Sequence, residues 1–177
     1  MVTLNRSMIS AARALLALCK ARKLKLVAAE SCTGGLLAAT LTEIPGSSDV
    51  VDRGFVTYSN ASKHEMLGVP LRTLEKFGAV SRETALAMSK GALARSAADL
   101  TVAITGIAGP GGGSKHKPVG LVHIAAAARG GARIHRECKF GDIGRPKVRE
   151  KSVLQAFAML NELAKKAPPK KKAAKAK

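Results

Sequence analysis

Aromatic side chains are scarce in this chain: they make up 3% of its 177 residues, and there is no tryptophan. That scarcity argues against a stacking platform for single-stranded nucleic acid, which depends on exposed rings. Cysteine is equally sparse. Cys19, Cys32 and Cys138 are an odd number, scattered, with no C-x-x-C pair. They form neither a disulfide framework nor a zinc site, and they suggest a reducing compartment. No apolar run is long enough for a bilayer; the run within 121–128 is far too short and too alanine-rich. Arg13, Lys20, Arg22 and Lys23 interrupt the apolar core that a signal peptide would need. A cytoplasmic location is expected. Acidic residues are few, 12 against 30 basic, for a net charge of +18. Part of that excess is local, because Lys165, Lys166, Lys170, Lys171, Lys172, Lys175 and Lys177 crowd the last stretch. Pro168-Pro169 stops a helix there. Residues 167–177 therefore read as a disordered basic tail, whose nucleic-acid contact would be weak and non-specific.

Apolar residues reach 46%, enough for one domain with a proper core over residues 1–166. Met8, Ala11, Ala12, Leu15, Leu16 and Cys19 recur at helical spacing. A strand is predicted at 26–29, then a helix from Gly35 to about Thr42, ended near Pro45-Gly46. A second strand runs Val50 to Tyr58. Short helices follow, one capped by Ser59-Asn60 and closed at Gly68, the next from Pro70 to Phe77, and a third capped by Ser81. Leu100 to Thr105 reads as a central strand, since it is almost wholly apolar or threonine. A glycine-dense loop, Gly106 to Gly113, leads towards a fourth strand at 120–127. Arg129-Gly130-Gly131 turns into a fifth, with Ile134, Arg136, Cys138 and Phe140 on one face. A last helix spans about 145–166. The alternation predicts a three-layer α/β/α domain with a mixed, mostly parallel sheet of about five strands.

Three polar stretches follow three strands: Glu30 to Gly35, Tyr58 to Lys63, and Thr105 to Gly113. Parallel neighbours would bring these stretches to one sheet edge, where open α/β sheets bind ligands. Ser31, Tyr58, Lys63 and Thr105 would then share a pocket. Serine beside a lysine made neutral by burial or by neighbouring cations is a way to build a nucleophile. Backbone N–H groups at 32–34 or at Gly106 would supply an oxyanion hole. Each residue also has a plain reading: Lys63 as a solvated helix lysine, Tyr58 as a strand tyrosine, Glu30 as a cap of the turn. Cys32, at a helix start, is the rival nucleophile or a small buried filler. The four histidines lack metal-ligand spacing. The glycine loop is neither a P-loop nor a dinucleotide fingerprint, although a nucleotide monophosphate could lie on its N–H groups.

Five motifs stand in order: Ala29-Glu-Ser-Cys-Thr-Gly-Gly35, Tyr58-Ser-Asn-x-x-Lys63, Gly78-Ala-Val-Ser81, Thr105-Gly-Ile-Ala-Gly-Pro-Gly-Gly-Gly113 and Lys117-Pro-Val-Gly120. Over residues 7 to 165 the chain resembles the CinA C-terminal domain family, which includes the nicotinamide-nucleotide amidohydrolases called PncC. The resemblance implies hydrolysis of nicotinamide mononucleotide to nicotinate mononucleotide and ammonia, with no metal or other cofactor. It implies Ser31 as nucleophile, Lys63 as base and Tyr58 as helper. It places Glu30, Thr33, Gly34, Gly35, Asn60, Thr105, Gly106 and Arg145 around the substrate. Arg145 falls where the family has a Gly-Asp-Arg arginine, with Ile143-Gly144 intervening here after Asp142. Many relatives carry a separate N-terminal nucleotide-hydrolase domain, for which the residues ahead of the match leave no room. A homo-oligomer is expected. Two other readings follow from the same residues: a non-catalytic nucleotide-binding, competence-type module, and a nucleic-acid-associated protein suggested by the charge.

Overall fold

The computed structural model describes residues 4–167. The expected basic tail, apart from Ala167, lies outside the described residues.

Helix α1 (Arg6–Arg22) opens on Asn5, whose side chain accepts from the Met8 N–H at 2.9 Å, and closes on Lys23 in the left-handed region. Its buried stripe is Met8, Ala12, Leu15, Leu16 and Cys19, the helical rhythm seen in the sequence. Strand β1 (Leu26–Glu30) leads through a tight turn into α2 (Leu36–Thr42). A single 3₁₀ turn, Ser47–Asp49, follows the Pro45-Gly46 break and precedes β2 (Val51–Val56). Three helices come next: α3 (Asn60–Leu67), α4 (Leu71–Phe77) and α5 (Arg82–Ala94). Ser59 starts α3 with a capping box completed by Ser62, and Ser81 caps α5 through the Thr84 N–H. The chain ends in β3 (Leu100–Gly106), β4 (Leu121–Ala128), β5 (Arg133–Lys139) and α6 (Arg145–Lys166).

The five strands form one sheet in the order β2-β1-β3-β4-β5. β1 pairs in parallel with β2 and with β3, while β3–β4 and β4–β5 are antiparallel. The three-layer mixed sheet is as expected, but its pairings divide evenly rather than mostly parallel. The reason is that β4 is reached by a loop and β5 by a hairpin, with no helix crossing over in either case. The β1-to-β2 crossover moves one way on one face, and the β2-to-β3 crossover moves the other way on the opposite face. The two therefore have the same hand.

Helices α1, α2 and α6 pack on one face with Leu26, Ala28, Leu100, Val102, Ile104, Val122 and Ile124. The other face receives Val27, Ala29 and Ala103, against Leu67, Val69, Leu74, Met88 and Ala92 of the α3–α5 layer. Both faces of β1 and β3 are covered, which is why those strands are almost wholly apolar or threonine up to their carboxyl ends. Strand β5 is an edge and alternates. Ile134 and Cys138 face the α6 layer, where Arg136 reaches Glu162 at 3.1 Å. On the other side His135 Nε2 lies 3.1 Å from Nδ1 of His123 on β4, with the two rings stacked. Burial lowers the pKa of both histidines.

Candidate active site

Strands β1 and β3 are parallel neighbours, so their carboxyl ends open on the same edge of the sheet. Chain connections leave in opposite directions there, which creates a crevice. Ser31 is the first residue past β1. Its N–H continues the ladder by donating to the Ile104 carbonyl at 2.9 Å. The Ser31 carbonyl then accepts from Gly34 at 3.0 Å, and the Thr33 carbonyl from Leu36 at 3.2 Å. Two successive turns thus reverse the chain within five residues. Gly34 and Gly35 take φ of 57° and 89°, the region that favours glycine.

Lys63 projects from α3 towards that turn. It is only 1% exposed and ranks among the largest fully buried side chains of the described residues. Its Nζ lies 3.0 Å from Ser31 Oγ, 2.9 Å from the Thr57 carbonyl, 3.4 Å from the Ser59 carbonyl and 3.5 Å from the Tyr58 carbonyl. Burial is the main cause that holds the Lys63 pKa below the ordinary lysine value. A neutral amine here has two N–H bonds for the carbonyls and one lone pair for the serine hydroxyl. Ser31 is itself buried, at 8% exposure.

The cleft has a volume of about 240 Å³ and is walled by Ser31, Cys32, Tyr58 and Lys63 on one side. Thr105, Gly106 and the loop to Gly112 form the other side, and Arg145 closes an end. Thr105 Oγ1 donates to the Ala79 carbonyl at 2.7 Å, so it ties the α4–α5 connection to the end of β3. At Gly106 a Cβ would lie 2.7 Å from a Val122 methyl and 2.8 Å from the Leu121 carbonyl; that position requires glycine for close packing. Arg145 donates to the Gly109 carbonyl at 3.1 Å and to the Tyr58 hydroxyl at 2.7 Å. Tyr58 is 60% exposed, and its hydroxyl goes to the arginine, whereas its backbone carbonyl faces Lys63. The Tyr58 ring is thus a cleft wall held by Arg145.

Five residues expected around the substrate stand away from the cleft lining. The Glu30 carboxylate is buried and accepts from the N–H groups of Leu37 at 3.1 Å and Ala38 at 2.9 Å. It satisfies the first turn of α2 in the manner of a cap. Thr33 is fully buried, and its Oγ1 has no hydrogen-bond partner among the described residues. Gly34 and Gly35 shape the turn, and Gly35 is the N-cap of α2. Asn60 is exposed on the first turn of α3. Cys32 does line the cleft, but burial pushes its thiol up to about 12, which disfavours the thiolate a rival nucleophile needs. Among the described residues no three His, Cys, Asp or Glu side chains converge as a metal site. No helix there is long and apolar enough to cross a membrane.

Sequence reading overlooked Arg149, whose guanidinium meets the Thr33 carbonyl through Nε at 3.1 Å and Nη2 at 2.6 Å. The signal for it was its spacing: it follows Arg145 by four residues and so shares its helix face.

Residues 8–164 match the model of the CinA C-terminal domain. A putative competence-damage inducible protein of Caldicellulosiruptor bescii is 56% identical over 108 residues, which are 61% of this chain and 26% of that protein. The chain thus matches about a quarter of the length of that larger relative. A nicotinamide-nucleotide amidohydrolase PncC of Enterobacter agglomerans is 54% identical over 112 residues, 63% of this chain and 68% of that one. The crystal structure of competence/damage inducible protein CihA from Agrobacterium tumefaciens superposes with a TM-score of 0.90 at 55% identity, covering 92% of this chain and 99% of the other. A CinA-superfamily structure from Klebsiella pneumoniae gives 0.85 at 34% identity, over 90% and 99%. The chain belongs to the CinA C-terminal domain family.

Proposed function

We propose that this protein hydrolyses the carboxamide of nicotinamide mononucleotide, with Ser31 as nucleophile and Lys63 as its base. The observation that carries this reading is the 3.0 Å contact between Ser31 Oγ and a lysine amine buried at 1% exposure. Support for the substrate comes from the name of the 54%-identical PncC relative.

In the first step the Ser31 hydroxyl donates to the lone pair of neutral Lys63 while Oγ bonds to the carboxamide carbon. The carbonyl π electrons move to oxygen. The N–H groups of Cys32 and Thr33, which donate to no backbone carbonyl among the described residues, follow the nucleophile directly. They are the oxyanion donors of this scheme, worth on the order of 3 kcal/mol each. Collapse breaks the C–N bond, and Lys63 returns its proton to the nitrogen, so ammonia leaves. Water then attacks the ester, Lys63 takes a proton from it, and Ser31 recovers its own. The pyridinium ring withdraws electrons and eases both attacks. Arg145, already held against the cleft wall, is the cation for the ribose phosphate.

The test is ammonia release from nicotinamide mononucleotide by wild type and Ser31→Ala in parallel. Release by wild type alone is the expected result. Equal release by both removes Ser31 as nucleophile, and no release by either favours a nucleotide-binding module without catalysis.

A further inference from the structure

Arg149 does not line the cleft, and no step of the acyl transfer requires it. Its guanidinium nevertheless makes the closest side-chain contact to the turn that carries the proposed nucleophile. We infer that Arg149 is a positioning residue that fixes the Thr33–Gly34 peptide and so the conformation of Thr33, which keeps the Thr33 amide beside that of Cys32 and facing the reacting oxygen. This inference rests on the Ser31 nucleophile proposed above.

The Thr33 carbonyl accepts three hydrogen bonds, from Leu36 N at 3.2 Å and from Arg149 Nε and Nη2 at 3.1 and 2.6 Å. It is the shared point of the two turns that take β1 into α2. Ser31 N–H is committed to Ile104, and Gly34 and Leu36 N–H to the two turn carbonyls, whereas the amides of Cys32 and Thr33 meet no backbone carbonyl among the described residues. Two consecutive N–H groups that meet no backbone carbonyl can form an anion-binding nest, but only while the peptide planes keep their rotation. The Gly34 bond to the Ser31 carbonyl secures the Ser31–Cys32 peptide, which carries the Cys32 N–H, whereas the Thr33 N–H depends on the conformation of Thr33 itself. Gly34 and Gly35, at φ of 57° and 89°, lack side chains that could lock the turn. The Thr33 hydroxyl, which could bond within the turn, is buried with no partner among the described residues.

The further restraint on Thr33 comes from α6. A forked guanidinium on one carbonyl fixes direction as well as distance, which a single ammonium does not. One helical turn earlier Arg145 holds Tyr58 and Gly109. The first two turns of α6 therefore set the nucleophile turn and the opposite wall of the cleft in common register.

The experiment compares wild type, Arg149→Met, which keeps the apolar stem, and Arg149→Lys. It uses two readouts: steady-state deamidation, and the rate at which a fluorophosphonate labels Ser31. In the labelling step the Ser31 Oγ–P bond forms, fluoride leaves, Lys63 takes the hydroxyl proton, and the phosphoryl oxygen occupies the oxyanion position. The expected result is a fall of about 30-fold or more in kcat and in labelling rate for both variants, with KM changed less than about threefold. Labelling of Arg149→Met at the wild-type rate overturns the inference, as does a lowered melting temperature with unchanged rates below the melt. If Arg149→Met does not fold, the Arg149→Lys labelling rate decides by the same criterion. Wild-type labelling without ammonia release overturns the substrate assignment alone, because the variant comparison still stands. Absence of Ser31 labelling in wild type overturns both.

Discussion

Both parallel strands that meet at the crevice, β1 and β3, run out into glycine-rich backbone. The five-residue turn after β1 is mostly buried, and its carbonyls at Ser31 and Thr33 are taken up by amides and by Arg149. Behind it the Glu30 carboxylate fills the α2 amides. The segment after β3 is longer and exposed from Pro110 to His116. It is tied by the Ile107 and Gly120 amides and the Gly120 carbonyl near its ends, by Lys117 on the Phe77 carbonyl at 2.7 Å, by Arg145 on Gly109, and by Ser114 and Lys117 on each other. Glycine serves opposite ends in the two places. In the first it permits a reversal tight enough to present one hydroxyl; in the second Gly106, Gly109 and Gly113 let the backbone pack closely against Leu121, Val122 and Val119, while Gly111 stands in open space. Composition alone does not separate the two uses, because what differs is how many groups from elsewhere in the fold brace the segment.

Substitution can break this contrast. The largest effect is expected at the chemical centre: Ser31→Ala and Lys63→Ala should each lower turnover by about 10³-fold or more, and the double variant should be no worse than either, as for residues acting as a unit. The pH dependence should agree. Activity needs Lys63 neutral, so kcat/KM should rise with pH along a limb whose midpoint lies below the usual lysine value, since burial lowers that pKa. A limb at or above about 10.4 would remove Lys63 as the base.

Next in size are the braces. Glu30→Ala leaves two helix-start amides, one of them fully buried, without an acceptor, and should cost about 2–3 kcal/mol in denaturant unfolding. Gly106→Ala should cost about 2 kcal/mol, because the added methyl meets Val122 and the Leu121 backbone within 3 Å. The loop supplies the counter-case. A methyl added at Gly111 would meet nothing within 4 Å, and the residue has no positive φ, so Gly111→Ala should stay within about 0.5 kcal/mol. A large loss there would end the distinction between a braced turn and an open loop.

The smallest effect lies outside both segments. His123 and His135 are held neutral by burial, with folded pKa values below their unfolded ones. Their contribution is complete above about pH 6.5 and is lost as pH falls through the folded values, since the unfolded chain then binds more protons. His135→Gln should flatten the fall in stability from pH 6.5 towards 5, measured as the difference from wild type.

Much of this architecture was legible in local pattern. The helical stripe of Met8 to Cys19, the Ser59 and Ser81 caps, the apolar β3 run and the Arg129–Gly131 hairpin all have causes within a few residues, and each element appears at its expected place. So does the gathering of the Ser31, Lys63 and Thr105 segments at one edge, which follows from strand–helix alternation. The even split of the sheet was less legible, because a loop-borne return and a crossover helix differ only in what the intervening residues bury. Glu30, Thr33, Asn60 and Tyr58 were legible as residues near a site but not as to which way they turn. Glu30 faces helix amides, Asn60 faces solvent, and the Tyr58 hydroxyl faces an arginine 87 residues further along the chain.

Taken by itself, the order of residues determined the secondary elements, their layering and the set of chemical groups delivered to the carboxyl end of the sheet, because periodicity, capping and turn chemistry act over short stretches. Only the tertiary structure decided that Lys63 is buried against Ser31, that Cys32 is too deeply desolvated to ionise readily, and that Arg149 grips the turn from a helix 116 residues away in sequence. Those outcomes depend on desolvation and on hydrogen bonds between distant segments, which come into being only when the layers close.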